Sequence, residues 1–157
     1  MSMKEFAFQD YYPDDVNHCY GCGQLNDKGH RIRTFWDGDE TITRFTPKPY
    51  HTAITGYVYG GLIASLIDCH GTGSAAAAAY KNEGLPMDSK PAKRFVTASL
   101  NVKYLKPTPL GPELVLRGSI DEIDGKRITV SIRLFAGDVL CVVGKVVAVQ
   151  IPEDWGK

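Results

Sequence analysis

An aspartate set inside an apolar run is the residue whose presence chemistry must explain first. Asp68 lies within GGLIASLIDCHGTGSAAAAA, residues 60–79. An ionised carboxylate taken out of water is costly unless it is paired or hydrogen-bonded. Two readings follow: a structural carboxylate that pairs with a base or caps the backbone, or a general base or nucleophile tuned by its surroundings. Gly60 and Gly61 open the same run. A helix beginning there presents unpaired N–H groups and the positive end of its dipole, which suit an oxyanion. Glycine also lets a substrate carbonyl come close to the backbone. A tight turn into the helix is the structural alternative for the same two residues.

Cysteine supplies a second possible chemistry. Cys19 and Cys22 form a C-x-x-C pair, with Cys69 and Cys141 elsewhere. No second pair follows at zinc-ribbon spacing, and His18 adjoins Cys19 too closely to be a convincing ligand. The expectation is therefore a structural turn without metal. A redox role would need a βαβ context that this pattern lacks. Cys69 and Cys141 fall in apolar segments, where free cysteine behaves as a small hydrophobe. All four are expected to stay reduced.

The elements that must position these groups read most clearly in the C-terminal half, where apolar residues alternate with period two. Leu100, Val102 and Tyr104 share one side of a strand, with Thr97, Ser99, Asn101 and Lys103 on the other. Leu114, Leu116 and Ile120 mark the next strand. Asp124-Gly125 then predicts a tight turn. Ile128, Val130, Ile132 and Leu134 define a third strand, and Ala136-Gly137-Asp138 turns the chain again. Residues 139–151 are apolar on nearly both faces, as in a central strand covered on each side. Residues 31–36 and 41–46 flank Asp37-Gly38 as an earlier hairpin. Residues 60–79 break this period and end in an alanine run of high helix propensity. A helix apolar all round is expected to be buried. One such helix against five or six antiparallel strands predicts an α+β fold and a single domain over residues 1–157.

Composition narrows the partners. Eighteen basic residues balance eighteen acidic ones among 157, so no net field draws the chain to nucleic acid or an anionic membrane. The opening residues, MSMKEFAFQDYYPDD, contain no apolar run of signal-peptide type. Residues 58–80 could span a bilayer by length, but Asp68 and the scarcity of Leu and Ile argue against it. A soluble, cytoplasmic protein without a cofactor is expected. No phosphate-binding motif is present.

Spacing carries a further implication. Gly60 and Asp68 are eight residues apart, or roughly 12 Å along a helix at ~1.5 Å per residue. One carbonyl can hardly touch both. If they share a site, two antiparallel copies of the helix must supply it across a two-fold axis, which predicts a dimer or a dimer of dimers.

Three segments, taken in order, resemble one family. Residues 57–68, YVYGGLIASLID, are similar to the HGG-to-Asp segment of hotdog-fold acyl-CoA thioesterases of the phenylacetyl-CoA thioesterase-like branch. Residues 19–23, CYGCG, followed by Asn26 and Gly29, resemble the opening of many members. Residues 97–107, TASLNVKYLKP, match their strand after the helix. The resemblance covers about residues 18–150 and implies a sheet wrapped around one long buried helix. It further implies hydrolysis of a small or medium acyl-CoA, with a Gly60 N–H at the oxyanion, Asp68 activating water or attacking the thioester, and Thr97 assisting it. Thr72, four residues after the carboxylate, is the assisting residue of another subgroup. Tyr59 stands where the family usually has His, and Tyr does not titrate near neutrality. Tyr59, Gly61 and His51 are expected to line the substrate pocket, although His51 also reads as an ordinary loop histidine. Residues 81–93 should form a loop at the pocket edge. Lys93, Arg94 and Lys106 are the cations available for coenzyme A. A hotdog dehydratase using His51 and Asp68, and a non-catalytic acyl-CoA or lipid binder, are the competing readings.

Overall fold

The computed structural model describes residues 5–157. Two short 3-10 turns, Phe8–Tyr11 and Asp14–Val16, precede the hairpin of β1 (Thr34–Asp37) and β2 (Glu40–Phe45). Helix α1 (Gly60–Asn82) follows, then β3 (Arg94–Tyr104), β4 (Leu114–Asp124), β5 (Arg127–Ala136) and β6 (Val139–Ile151). The six strands form one sheet in the order β1-β2-β4-β5-β6-β3, antiparallel at every pairing. A sheet wrapped around a long helix is the arrangement that the resemblance implies.

The turns lie where the glycines predicted them. Gly38, Gly125 and Gly137 take positive φ of 63°, 59° and 59° between β1 and β2, β4 and β5, and β5 and β6. Helix α1 runs three residues past the alanine tract, through Tyr80, Lys81 and Asn82. It ends where Gly84, at φ 68°, lets its N–H reach the Lys81 carbonyl and the Leu85 N–H reach that of Tyr80.

Leu62, Ile63, Leu66 and Ile67 of α1 pack on Leu116, Val130, Ile132, Leu134 and Val146 of the sheet. Gly71 sets the closest approach: a Cβ there would collide with the Val146 side chain. A polar network lies inside this core. Thr41 Oγ1 is 2.9 Å from His70 Nε2, and Thr43 Oγ1 is 2.8 Å from Nδ1. Ser74 and Thr34 extend it from the two threonines.

Two expectations change. The helix is not buried all round: Gly61, Ala64, Ser65, Asp68 and Thr72, spaced three and four apart, form a half-buried stripe along it. Nor is β6 covered on both faces, since its outer Val143, Val147 and Val149 are only half-buried. The reason is shared. A single chain supplies one helical layer, which leaves these parts of the helix and sheet without cover from the same chain. Edge strand β3 is the extreme case, with Leu100 41% and Tyr104 52% exposed. No helix among the described residues is long and apolar enough to cross a membrane.

Candidate active site

Asp68 projects from the half-buried stripe of α1 toward β3, which lies beside the helix at the sheet edge. Thr97 Oγ1 donates to Asp68 Oδ1 at 2.6 Å. Thr72 stands one turn on, where its hydroxyl donates to the Asp68 carbonyl at 3.1 Å and lies 2.8 Å from Thr97 Oγ1. Thr97 is thus the direct partner of the carboxylate, and Thr72 buttresses Thr97. A register irregularity between Thr97 and Ser99 interrupts the β3–β6 ladder at this point, as bulges commonly do where a side chain is re-aimed. No ion pair among the described residues reaches Asp68, and Oδ2 has no hydrogen-bond partner among them. Burial raises the Asp68 pKa, the Thr97 hydrogen bond opposes the rise, and Cys19 adds to it.

The cavity in front of Asp68 holds about 210 Å³ and is lined by Thr72, Thr97, Phe95, Val96, Lys93 and residues of the N-terminal segment. That is less than the ~300–1,000 Å³ of complete ligand sites. Lys93 is engaged with Glu83 at 2.7 Å, and Arg94 with Asp15 at 2.6 Å. Both of these cations expected to bind coenzyme A are thus ion-paired within the chain. The segment after the helix does reach the cavity edge, through Lys93.

Gly60 opens elsewhere. It lines a cavity of about 480 Å³ with Ile54, Tyr57, Tyr104, Lys106 and Thr108. As the first helical residue after Tyr59, its N–H has no backbone acceptor among the described residues, nor has that of Gly61. Tyr104 Oη donates to the Gly60 carbonyl at 2.7 Å, fixing the turn from β3. Lys106, the third cation expected to bind the coenzyme, has no ion-pair partner among the described residues and lines this cavity.

Tyr59, Gly61 and His51 come together in a third cavity, of about 410 Å³, with Tyr20, His30, Tyr50 and Ser65. The Tyr59 ring lies directly over Gly61, where any Cβ would collide with it. Tyr59 is 56% exposed. His51 Nδ1 accepts the Lys48 N–H at 2.9 Å, and its ring centre is 5.2 Å from that of His30. Burial lowers the pKa of both histidines. Within one chain, then, Asp68 with Thr97, Gly60, and His51 with Tyr59 and Gly61 face three separate cavities.

Sequence reasoning missed Tyr104 as a brace for Gly60, His30 as the neighbour of His51, and Cys69 as the neighbour of the C-x-x-C pair. Each contact joins segments distant in sequence, and only the topology makes it.

Comparison with known proteins agrees with this architecture. The thioesterase superfamily profile matches residues 55–149. A solved thioesterase superfamily protein from Shewanella loihica PV-4 is 48% identical, covering 90% of this chain and 100% of its own, with a TM-score of 0.68. The PaaI protein of the E. coli phenylacetic acid degradation operon shares the fold at 12% identity and a TM-score of 0.63, over 78% of this chain and 81% of its own. Among curated relatives, the acyl-coenzyme A thioesterase THEM4 of Xenopus laevis is 30% identical over 97 residues, 62% of this chain and 38% of that protein. THEM4 of Mus musculus is 33% identical over 91 residues, 58% and 34% respectively. The chain thus spans little more than a third of the length of the curated relatives it matches. The match extends over more than half of this chain and includes α1 and the strands that follow it; the chain belongs to the thioesterase superfamily.

Proposed function

We propose that the protein hydrolyses a small or medium acyl-CoA thioester to the free acid and coenzyme A. The observation that carries this reading is the Asp68 carboxylate, held through one oxygen by Thr97 and unpaired at the other, in a cavity of about 210 Å³. Asp68 takes a proton from a water molecule as that water's oxygen attacks the thioester carbon. Charge develops on the carbonyl oxygen, and the Gly60 N–H with the helix dipole behind it stabilises that charge. The C–S bond then breaks and the coenzyme thiolate leaves, taking up a proton. The acyl-coenzyme A thioesterase named among the relatives and the superfamily membership favour this chemistry over dehydration or simple binding.

The site is completed between two protomers in this proposal. Gly60 and Asp68 face different cavities of one chain, and the Asp68 cavity is smaller than a usual ligand site. The half-buried helix stripe and the exposed β3 edge offer the surface for a second copy, in a dimer or a dimer of dimers. Work in the cytoplasm would keep the four free thiols reduced.

Purified protein incubated with a panel of acyl-CoAs should release free thiol, and Asp68→Asn should abolish most of that release. Equal rates in a folded mutant would exclude the carboxylate mechanism and favour a binding protein. Hydration of enoyl-CoA without thiol release would indicate the dehydratase instead. Gly60→Pro probes the other half, because proline is tolerated at the first helical position and replaces the N–H with its ring. It should cost ~10²–10³-fold in turnover. Mixing the two inactive variants should restore activity, since one site of each mixed dimer is intact. No recovery, or a monomer by sedimentation at micromolar concentration, would end the shared-site reading.

A further inference from the structure

The wall of the cavity next to Asp68 carries a group that hydrolysis does not use. Cys19 and Cys22 come from the N-terminal loop and Cys69 from α1, and their three sulfurs all lie within 4.8 Å of one another. Cys19 and Cys69 are 4.0 Å apart. Three thiolates on a tetrahedral zinc at ~2.3 Å would stand about 3.8 Å apart. The sequence supplied only two of these ligands; the fold brings the third.

The loop is shaped for this convergence. A Cβ on Gly21 would collide with the Cys69 sulfur, and one on Gly23 with the backbone of residues 17–19. Only glycines let the loop close over Cys69. Three thiols this close can give up their protons to a single cation that all three sulfurs then share. A separate observation points the same way. The Tyr12 hydroxyl is buried and has no hydrogen-bond partner among the described residues, and Tyr12 lines this cavity. An unused donor thus lines the same cavity as the three cysteines.

We propose that Cys19, Cys22 and Cys69 together bind one thiophilic metal ion, Zn²⁺ by preference, with an exchangeable water in the fourth position facing the cavity. Soft thiolates select zinc over the hard cations that carboxylates and carbonyls hold. The ion would pin the N-terminal loop to α1 beside Asp68. This inference does not depend on the hydrolase reading.

The test is a titration of the full chain, reduced and stripped of metal, with Co²⁺ alone. The expected result is saturation at one ion per chain, with a sulfur-to-cobalt charge-transfer band and the strong visible bands of tetrahedral cobalt. Added Zn²⁺ should bleach them, and imidazole should shift them by replacing the water. Cys22→Ser and Cys69→Ser should weaken binding about tenfold or more, through loss of a thiolate ligand. Cys19→Ser changes an exposed residue, and should do the same even if the buried variants fail to fold. Cys141→Ser, outside the cluster, should bind as wild type does. A flat titration, weak bands of octahedral type, or bands that persist in Cys19→Ser would overturn the site. A spectrum unmoved by imidazole would overturn its open position.

Discussion

Asp68 and His70 stand two residues apart on the same helix and face opposite surroundings. His70 points into the sheet, fully buried, with Thr41 on one ring nitrogen and Thr43 on the other. Burial drives its pKa down to about 3, so it is a neutral, fully satisfied ring. Asp68 turns to the half-buried stripe, keeps a single side-chain partner, and leaves one oxygen unpaired beside a cavity. Both residues are ionisable, and both lose water on folding. What separates them is whether the fold closes every hydrogen-bonding position. A closed set makes a structural group, and an open one keeps a residue available for chemistry.

The comparison predicts different failures. His70→Ala should reduce stability most, by about 3 kcal/mol or more, through the cavity and the hydroxyls it leaves unpaired. Chemical denaturation of the variant measures this, and a loss below ~1 kcal/mol would mean the network is dispensable. Its remaining folded fraction should keep near-normal turnover per active site. Asp68→Asn should do the reverse, lowering turnover by ~10²-fold or more through loss of the general base while leaving the unfolding midpoint near wild type. If Asp68→Asn destabilises and His70→Ala inactivates, the assignment of roles is inverted.

Thr97→Ala comes next. It removes the one side-chain hydrogen bond that aims Asp68, worth ~1–3 kcal/mol. Turnover should fall by less than in Asp68→Asn, and Thr97→Ser should recover most of the loss. Thr72→Ala should cost less again, because Thr72 reaches the carboxylate only through Thr97. Equal losses in the two alanine variants would show that the pair acts as a unit rather than a chain.

Hairpins and helix were legible in the sequence because their signals are local. Period-two alternation and glycines at positions 38, 125 and 137 lie within a few residues of the structure they specify. The helix end was read short because the alanine tract stopped at Ala79, although Tyr80, Lys81 and Asn82 carry nothing that halts a helix. What escaped was non-local. Asp68 was visible as an anomaly, but its half-exposure required knowing which stripe of α1 the sheet leaves uncovered. Lys93 and Arg94 looked like free cations until Glu83 and Asp15 were brought against them. Cys69 looked like a core residue until the loop of Cys19 and Cys22 folded over it. Periodicity specifies which residues are on a face, whereas topology decides what that face meets.

The smallest expected effect lies at Tyr59, and it sharpens the distinction between open and closed positions. Tyr59 is 56% exposed, and its ring covers Gly61 rather than filling a core. Its backbone does the structural work: the N–H donates to the His51 carbonyl, and the carbonyl accepts the N–H groups of Leu62 and Ile63. These bonds are independent of the side chain. Tyr59→His should therefore leave the unfolding midpoint within ~0.5 kcal/mol, as for other exposed substitutions. A histidine there would restore the residue usual in the resembled family beside the unpaired Gly60 and Gly61 N–H groups. Turnover on the best acyl-CoA should be preserved or raised. A marked loss of turnover at unchanged stability would make the Tyr59 ring itself part of substrate recognition, and a loss of stability would mean that its cover over Gly61 is structural.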